Sequence, residues 1–138
     1  MSKRTCEVIT MTPLLDANVV MPGLQLKLEY LNPSLSIKHR ALPPAIFEYA
    51  EKRGNTTKLR VVILTSGTAG ISVAWAARRL GCEAVLLMPE SAKQSVINYA
   101  SQLGADIQCH PHGHLESILQ NTQSYQTHSS SISSRTSH

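Results

Sequence analysis

Lys38 lies in the run Leu31, Asn32, Pro33, Ser34, Leu35, Ser36, Ile37, Lys38, His39, Arg40, between an alternating apolar stretch and the start of a helical pattern. A side chain placed after a strand in an α/β protein stands near the sheet end where ligand crevices form. An amine there, partly desolvated, can lose its proton and attack an aldehyde to form a Schiff base. Taken alone, a lysine at a helix start is more often a solvated charge.

The second segment with chemical potential is Thr65, Ser66, Gly67, Thr68, Ala69, Gly70, which joins an apolar run to an Ala-rich helical pattern. Backbone N–H groups in such a loop, with the helix N-terminus behind them, make an anion site. The same small residues also permit close helix–sheet packing, and both readings stand. The loop lacks the Gly-Lys-Ser/Thr ending of a P-loop and the glycine spacing of a dinucleotide fingerprint. Cys109, His110, His112 and His114 form a third cluster, with ligand types suited to zinc or nickel. No helix-spaced or carboxylate partners accompany them, so the expectation is a polar loop and no metal site. Trp75 is expected in the core rather than stacked on a ligand.

The elements that must hold these residues alternate. Residues 24–30 place Leu24, Leu26, Leu28 and Tyr30 on one face of a strand. A helix follows that begins around Leu42, because Pro43 and Pro44 are tolerated only in a first turn, and it stops at Gly54. Its expected buried stripe is Leu42, Ile46, Tyr49 and Ala50, with Glu48, Glu51 and Lys52 outside. Residues 60–65 read as a strand buried on both faces, 71–80 as a helix closed by Gly81, and 84–88 as a second buried strand. Ser91 is the expected N-cap of a helix carrying Val96, Ile97, Ala100 and Leu103 inward. Residues 105–109 make a further strand, and a weaker helix is expected over 115–123. This alternation predicts an α/β fold with a parallel sheet.

Composition narrows the function classes. The chain has 138 residues, 42% hydrophobic and 16% charged, with a formal charge of +4 spread along the sequence. Scattered Lys and Arg read as solvated helix faces, which argues against nucleic-acid binding. Apolar runs are too short to cross a bilayer. Three unpaired cysteines and the lack of a secretory start give the expectation of a cytoplasmic protein. Residues 1–123 are read as the ordered domain. Residues 124–138 include seven serines and are read as a disordered tail, because they bury too little apolar surface to offset ordering entropy.

Glu29, Asn32, Pro33, Ser34, Ser36, Ile37, Lys38 and Arg40, taken with Thr12, Pro13 and Leu14 near the start, resemble segments of the cysteine synthase and cystathionine β-synthase group. These are fold-type II enzymes dependent on pyridoxal 5'-phosphate (PLP). Ala50 to Gly54, Met88 with Pro89 and Glu90, and Leu103 with Gly104 and Ala105 follow the same pattern, so the likeness spans roughly residues 10–108. The resemblance implies the N-terminal part of a tryptophan synthase β-like PLP-dependent fold, with Lys38 as the Schiff-base lysine. It also implies that Thr65, Ser66, Gly67, Thr68 and Ala69 bind the substrate carboxylate, with Thr68 facing the cofactor's ring oxygen.

Two positions depart from that pattern: Thr68 stands where the group has Asn, and Ala69 where it has Thr. Losing one positioned hydrogen bond to a buried group costs about 1–3 kcal/mol. Gly113 is the last glycine, so no glycine-rich phosphate cradle follows Cys109. The expectation is therefore a truncated cysteine synthase-like protein that acts on O-acetylserine or serine, with weak PLP binding. Two alternatives remain: a serine/threonine dehydratase-like enzyme, or a non-catalytic fragment that pairs with a full-length homologue or a serine acetyltransferase.

Overall fold

The computed structural model describes residues 11–56 and 58–111. Cys6, His112, His114, the helix expected over 115–123 and the tail at 124–138 lie outside the described residues. Two short strands, β1 (Leu14–Asp16) and β2 (Gln25–Lys27), pair antiparallel with Leu15 opposite Leu26. Between them the Asn18 side chain accepts the Gly23 N–H at 2.6 Å, and Gly23 turns the chain at φ +79°.

The strand expected over residues 24–30 is shorter than its alternation suggests. After Leu28 the chain coils into a 3-10 turn, Glu29–Leu31, and both Leu26 and Tyr30 are exposed. The cause is local. Asn32 donates to the Glu29 carbonyl from its backbone at 3.2 Å and from its side chain at 2.8 Å, which offers the backbone an alternative to the ladder.

A second 3-10 turn, Ile37–Arg40, leads into α1 (Leu42–Arg53). Both prolines of α1 fall in its first turn, where their missing N–H groups cost no helical bond. Its buried face is Pro43, Phe47 and Ala50, at the i, i+4, i+7 spacing. Tyr49, expected inside, is instead exposed, with the Arg53 guanidinium 5.7 Å from its ring centroid. The stripe is displaced because Phe47 packs with Ala76 and Trp75 on the next helix.

Three parallel strands follow in the order β3 (Arg60–Leu64), β4 (Glu83–Pro89), β5 (Asp106–His110). The connections are α2 (Thr68–Leu80) and α3 (Gln94–Gln102). The core lies between these helices and one sheet face, with Val73, Ala74 and Ala77 of α2, Ala100 of α3, and Ala84, Leu86 and Met88 of β4 at its centre. Val61, Ile63 and Ile107 pack at its margins.

Central β4 is buried from Ala84 to Met88, as its continuous apolar run predicts. Edge strand β3 differs: its second face, expected to be buried, leaves Val62 41% and Leu64 37% exposed. These two side chains share a sheet face with Val85 and Leu87, and no described helix packs over it.

Helix α2 begins at Thr68 rather than at residue 71, so Gly70 lies in its first turn. A Cβ on Gly70 would come within 2.9 Å of Thr65 Cγ2 and 3.1 Å of Leu86 Cδ1, so glycine sets how closely α2 approaches the sheet. Helix α3 is capped at Lys93, not Ser91, because residues 89–92 are taken up by a turn in which Ala92 N–H reaches the Pro89 carbonyl. Among the described residues no helix is long and apolar enough to cross a membrane.

Candidate active site

Lys38 sits in the Ile37–Arg40 turn and is exposed. The backbone before it is fixed by an unusual conformation. Leu35 adopts φ +58°, and its N–H bonds the Asn32 carbonyl at 2.7 Å. A left-handed backbone costs a residue other than glycine about 1–2 kcal/mol. Leu35 is flanked by Ser34, fully buried, and Ser36, whose Oγ caps the next turn by accepting the Lys38 N–H at 3.1 Å.

The small-residue loop meets this turn. Thr68 Oγ1 donates to Ser36 Oγ at 3.0 Å, across a sequence separation of 32 residues. Deeper in, Ser34 Oγ and Ser72 Oγ are 2.7 Å apart, and His39 Nδ1 lies 3.0 Å from Ser34 Oγ. His39 is fully buried, with its ring 4.6 Å from Trp75 in an edge-on contact. Trp75 therefore packs against protein, as expected, and flanks the segment that carries the lysine.

The loop itself is shaped by Thr65, which accepts the Gly67 N–H at 3.2 Å. Ser66 and Thr68 are exposed, while Thr65, Gly67 and Ala69 are half-buried. Gly67 is the N-cap of α2 and has no Cβ to cover the first helical N–H groups. Those free donors and the helix dipole favour an anion at this end of the helix.

A second cluster fixes the near side of the lysine segment. Arg40 Nε lies 2.8 Å from Glu29 Oε2, and its terminal nitrogen reaches Glu29 Oε1 and Thr12 Oγ1, each at 2.9 Å. Thr12 donates to Glu29 Oε1 at 2.8 Å and Asn32 Nδ2 to Glu29 Oε2 at 2.7 Å. Hydrogen bonds from Arg40 hold the Glu29 carboxyl down at about 2. Partial desolvation opposes that shift, and Thr12 and Asn32 reinforce it. Lys27 Nζ also donates to the Thr12 carbonyl, which ties β2 to the cluster.

These contacts account for the separated sequence signals. Thr12, Glu29, Asn32 and Arg40 converge on one carboxylate, which docks the lysine turn against the β1–β2 hairpin. Ser34, Ser36 and Ser72 dock the other side onto α2. Residues 6–129 match the family described as Pyridoxal-phosphate dependent enzyme. The chain belongs to that family.

Among relatives of this PLP-dependent chain, a probable cysteine synthase of Bacillus subtilis is 38% identical over 108 residues, covering 75% of this chain and 34% of the relative. A human serine dehydratase-like protein is 35% identical over 101 residues, covering 70% and 30%. The fold matches the crystal structure of an O-acetylserine dependent cystathionine beta-synthase from Helicobacter pylori with a TM-score of 0.72. Identity there is 24%, and the match covers 92% of this chain and 44% of the other. The chain thus spans about a third of the length of the curated relatives it matches.

The residues present suit PLP in chemical type. Lys38 offers a primary amine for its aldehyde, and the first turn of α2 offers N–H donors beside it. Reading the sequence alone assigned no role to Thr12, Glu29, Ser34, Ser36, His39 or Ser72. The Glu-x-x-Asn-Pro spacing ahead of Lys38 and Arg40 was the available signal for the Glu29 cluster. Nothing local in the sequence pairs Ser34 with Ser72. Cys82 and Cys109 are free thiols, and burial pushes the Cys82 thiol up, away from reactivity.

Proposed function

We propose that this chain forms the lysine-bearing part of a cysteine synthase-like site, with Lys38 as the residue that attaches PLP. The observation that carries the reading is the 3.0 Å contact between Thr68 and Ser36, which sets the Lys38 turn beside the N-terminus of α2. PLP, when bound, supplies an electron sink for charge developing at the α-carbon of an amino acid.

The protein's own groups divide the remaining tasks. Lys38 Nζ would be the group that moves the α-proton. The N–H groups of Ser66, Thr68 and Ala69, in the loop that Thr65 shapes by accepting the Gly67 N–H, hold the substrate carboxylate through the N-terminal end of the α2 dipole. Thr68 offers the substrate its N–H, while its side chain faces the lysine turn. Ala69 contributes only its N–H. The reaction proposed is β-replacement on O-acetylserine or serine, with sulfide or a thiol as the second substrate. Amino-acid dehydration is a second reading, favoured by the 35% identity to the serine dehydratase-like relative.

Incubating the full chain with PLP, O-acetylserine and sulfide tests the first reading. Cysteine should form, and Lys38→Ala should abolish it. Release of ammonia from serine with no cysteine formed would favour dehydration. No turnover of either substrate, together with no PLP bound, would overturn the proposal.

A further inference from the structure

The lysine turn is tied to α2 at two points, and both ties lie on one face of the helix. Ser36 Oγ receives two donors, the Lys38 N–H at 3.1 Å and the Thr68 hydroxyl at 3.0 Å. A threonine hydroxyl has one proton to give. In this arrangement it goes to Ser36 and is not available to a ligand oxygen.

One helical turn on, Ser72 Oγ donates to the Thr68 carbonyl at 3.4 Å and lies 2.7 Å from Ser34 Oγ. Either hydroxyl of the Ser34–Ser72 pair can be the donor. His39 Nδ1 lies 3.0 Å from Ser34 Oγ, as donor or acceptor according to its tautomer. Ser34, His39 and Ser72 are all fully buried, so the Ser34–Ser72 and Ser34–His39 bonds are made away from water. Positions 68 and 72 are four residues apart, one above the other on α2. Their two serine partners straddle Leu35, the residue held at φ +58°.

We propose that the Thr68 and Ser72 hydroxyls position Lys38, acting through Ser36 and Ser34 rather than by touching a ligand. This rests on the reading of Lys38 as the PLP lysine, but the two ties can be measured without the cofactor. They fix the Lys38 backbone on the helix whose N-terminus faces the anion site. The lysine and the substrate loop therefore move as one body. Threonine at position 68 serves this purpose through a short side-chain hydroxyl that reaches Ser36 Oγ.

Amide hydrogen exchange on the full chain without PLP separates the possibilities. Thr68→Val keeps the shape and removes the hydroxyl. It should speed exchange of the Lys38 amide about tenfold relative to Leu86 in the core, and Thr68→Ser should restore it. Ser36→Ala, which also removes the acceptor of the Lys38 N–H, should speed that exchange at least as much. Adding Thr68→Val to it should change nothing further, because the Thr68 tie is already broken. Ser72→Ala should speed exchange at His39 more than at Leu86.

An unchanged ratio of Lys38 to Leu86 exchange in Thr68→Val would overturn the proposal, including the case in which both rates rise together. Multiplying effects of Thr68→Val and Ser36→Ala would overturn it as well. Borohydride trapping of PLP on the wild-type chain is the separate arm. If no pyridoxyl group forms on Lys38 while the exchange pattern holds, the cofactor reading fails and the two ties stand.

Discussion

Arg40 grips Glu29 with two nitrogens, Nε 2.8 Å from Oε2 and a terminal nitrogen 2.9 Å from Oε1. This fork-on-carboxylate geometry is the strong form of the arginine–carboxylate pair. It joins the turn that carries Lys38 to the turn that leaves β2. Thr12 and Asn32 complete the coordination of the same carboxylate, so three segments of sequence are registered by one side chain.

The pair has a pH signature. The Glu29 carboxyl is held at about 2 in the folded chain against an ordinary value of 4.5. A depressed carboxylate contributes stability that is fully present above the ordinary value and is lost as pH falls toward the folded one. Unfolding by urea should therefore show stability declining from about pH 4.5 to about pH 2. Glu29→Gln should lower stability above that window and flatten the decline within it. An equally steep decline in the variant would remove Glu29 as its cause.

Leu35 provides a test of strain. Its left-handed backbone costs about 1–2 kcal/mol. Its side chain is 51% exposed, and Leu35→Asn, which tolerates the left-handed region, tests the residual burial separately from Leu35→Gly. Leu35→Gly relieves the strain at an unfolded-state entropy cost of about 0.4–1 kcal/mol. The variant should be more stable by about 0.5–1 kcal/mol, read as a higher urea midpoint at unchanged slope.

Gly70 tests the approach of α2 to the sheet. Gly70→Ala gains about 1 kcal/mol in helix propensity but forces a methyl to within 2.9 Å of Thr65 and 3.1 Å of the fully buried Leu86. Overpacking of this kind costs about 1–3 kcal/mol. Both atoms met are side-chain methyls, but Leu86 is locked in the core and Thr65 is held by the Gly67 N–H. A net loss of about 1 kcal/mol is expected, visible as a lower denaturant midpoint. A more stable variant would show that the helix has room to move away.

Local patterns in the sequence carried much of this structure. The run Val85, Leu86, Leu87, Met88 is apolar on every residue, and β4 is buried on both faces to match. Pro43 and Pro44 located the start of α1, and Gly54 and Gly81 the ends of α1 and α2. Val61 to Leu64 has the same composition as β4 yet lies at an edge, and composition cannot distinguish a covered face from an open one. Tyr49 and Phe47 compete for the inside of α1, and the outcome depends on Ala76 and Trp75 of another helix.

For the site, the segment around Lys38 was legible through its ordered residue types. The reason for those types was not. The bond from Thr68 to Ser36 and that between Ser34 and Ser72 span 32 and 38 residues, and only folding brings those hydroxyls together.

The central claim is that Lys38 is the lysine that attaches PLP. Full chain mixed with PLP, reduced with borohydride and digested, then mapped by mass spectrometry, tests it most directly. The account predicts a pyridoxyl group on the peptide containing Lys38, present in wild type and absent at that position in Lys38→Ala, with other lysines labelled only weakly in both. Labelling spread evenly over Lys27, Lys52, Lys58 and Lys93 and no greater at Lys38 would contradict it.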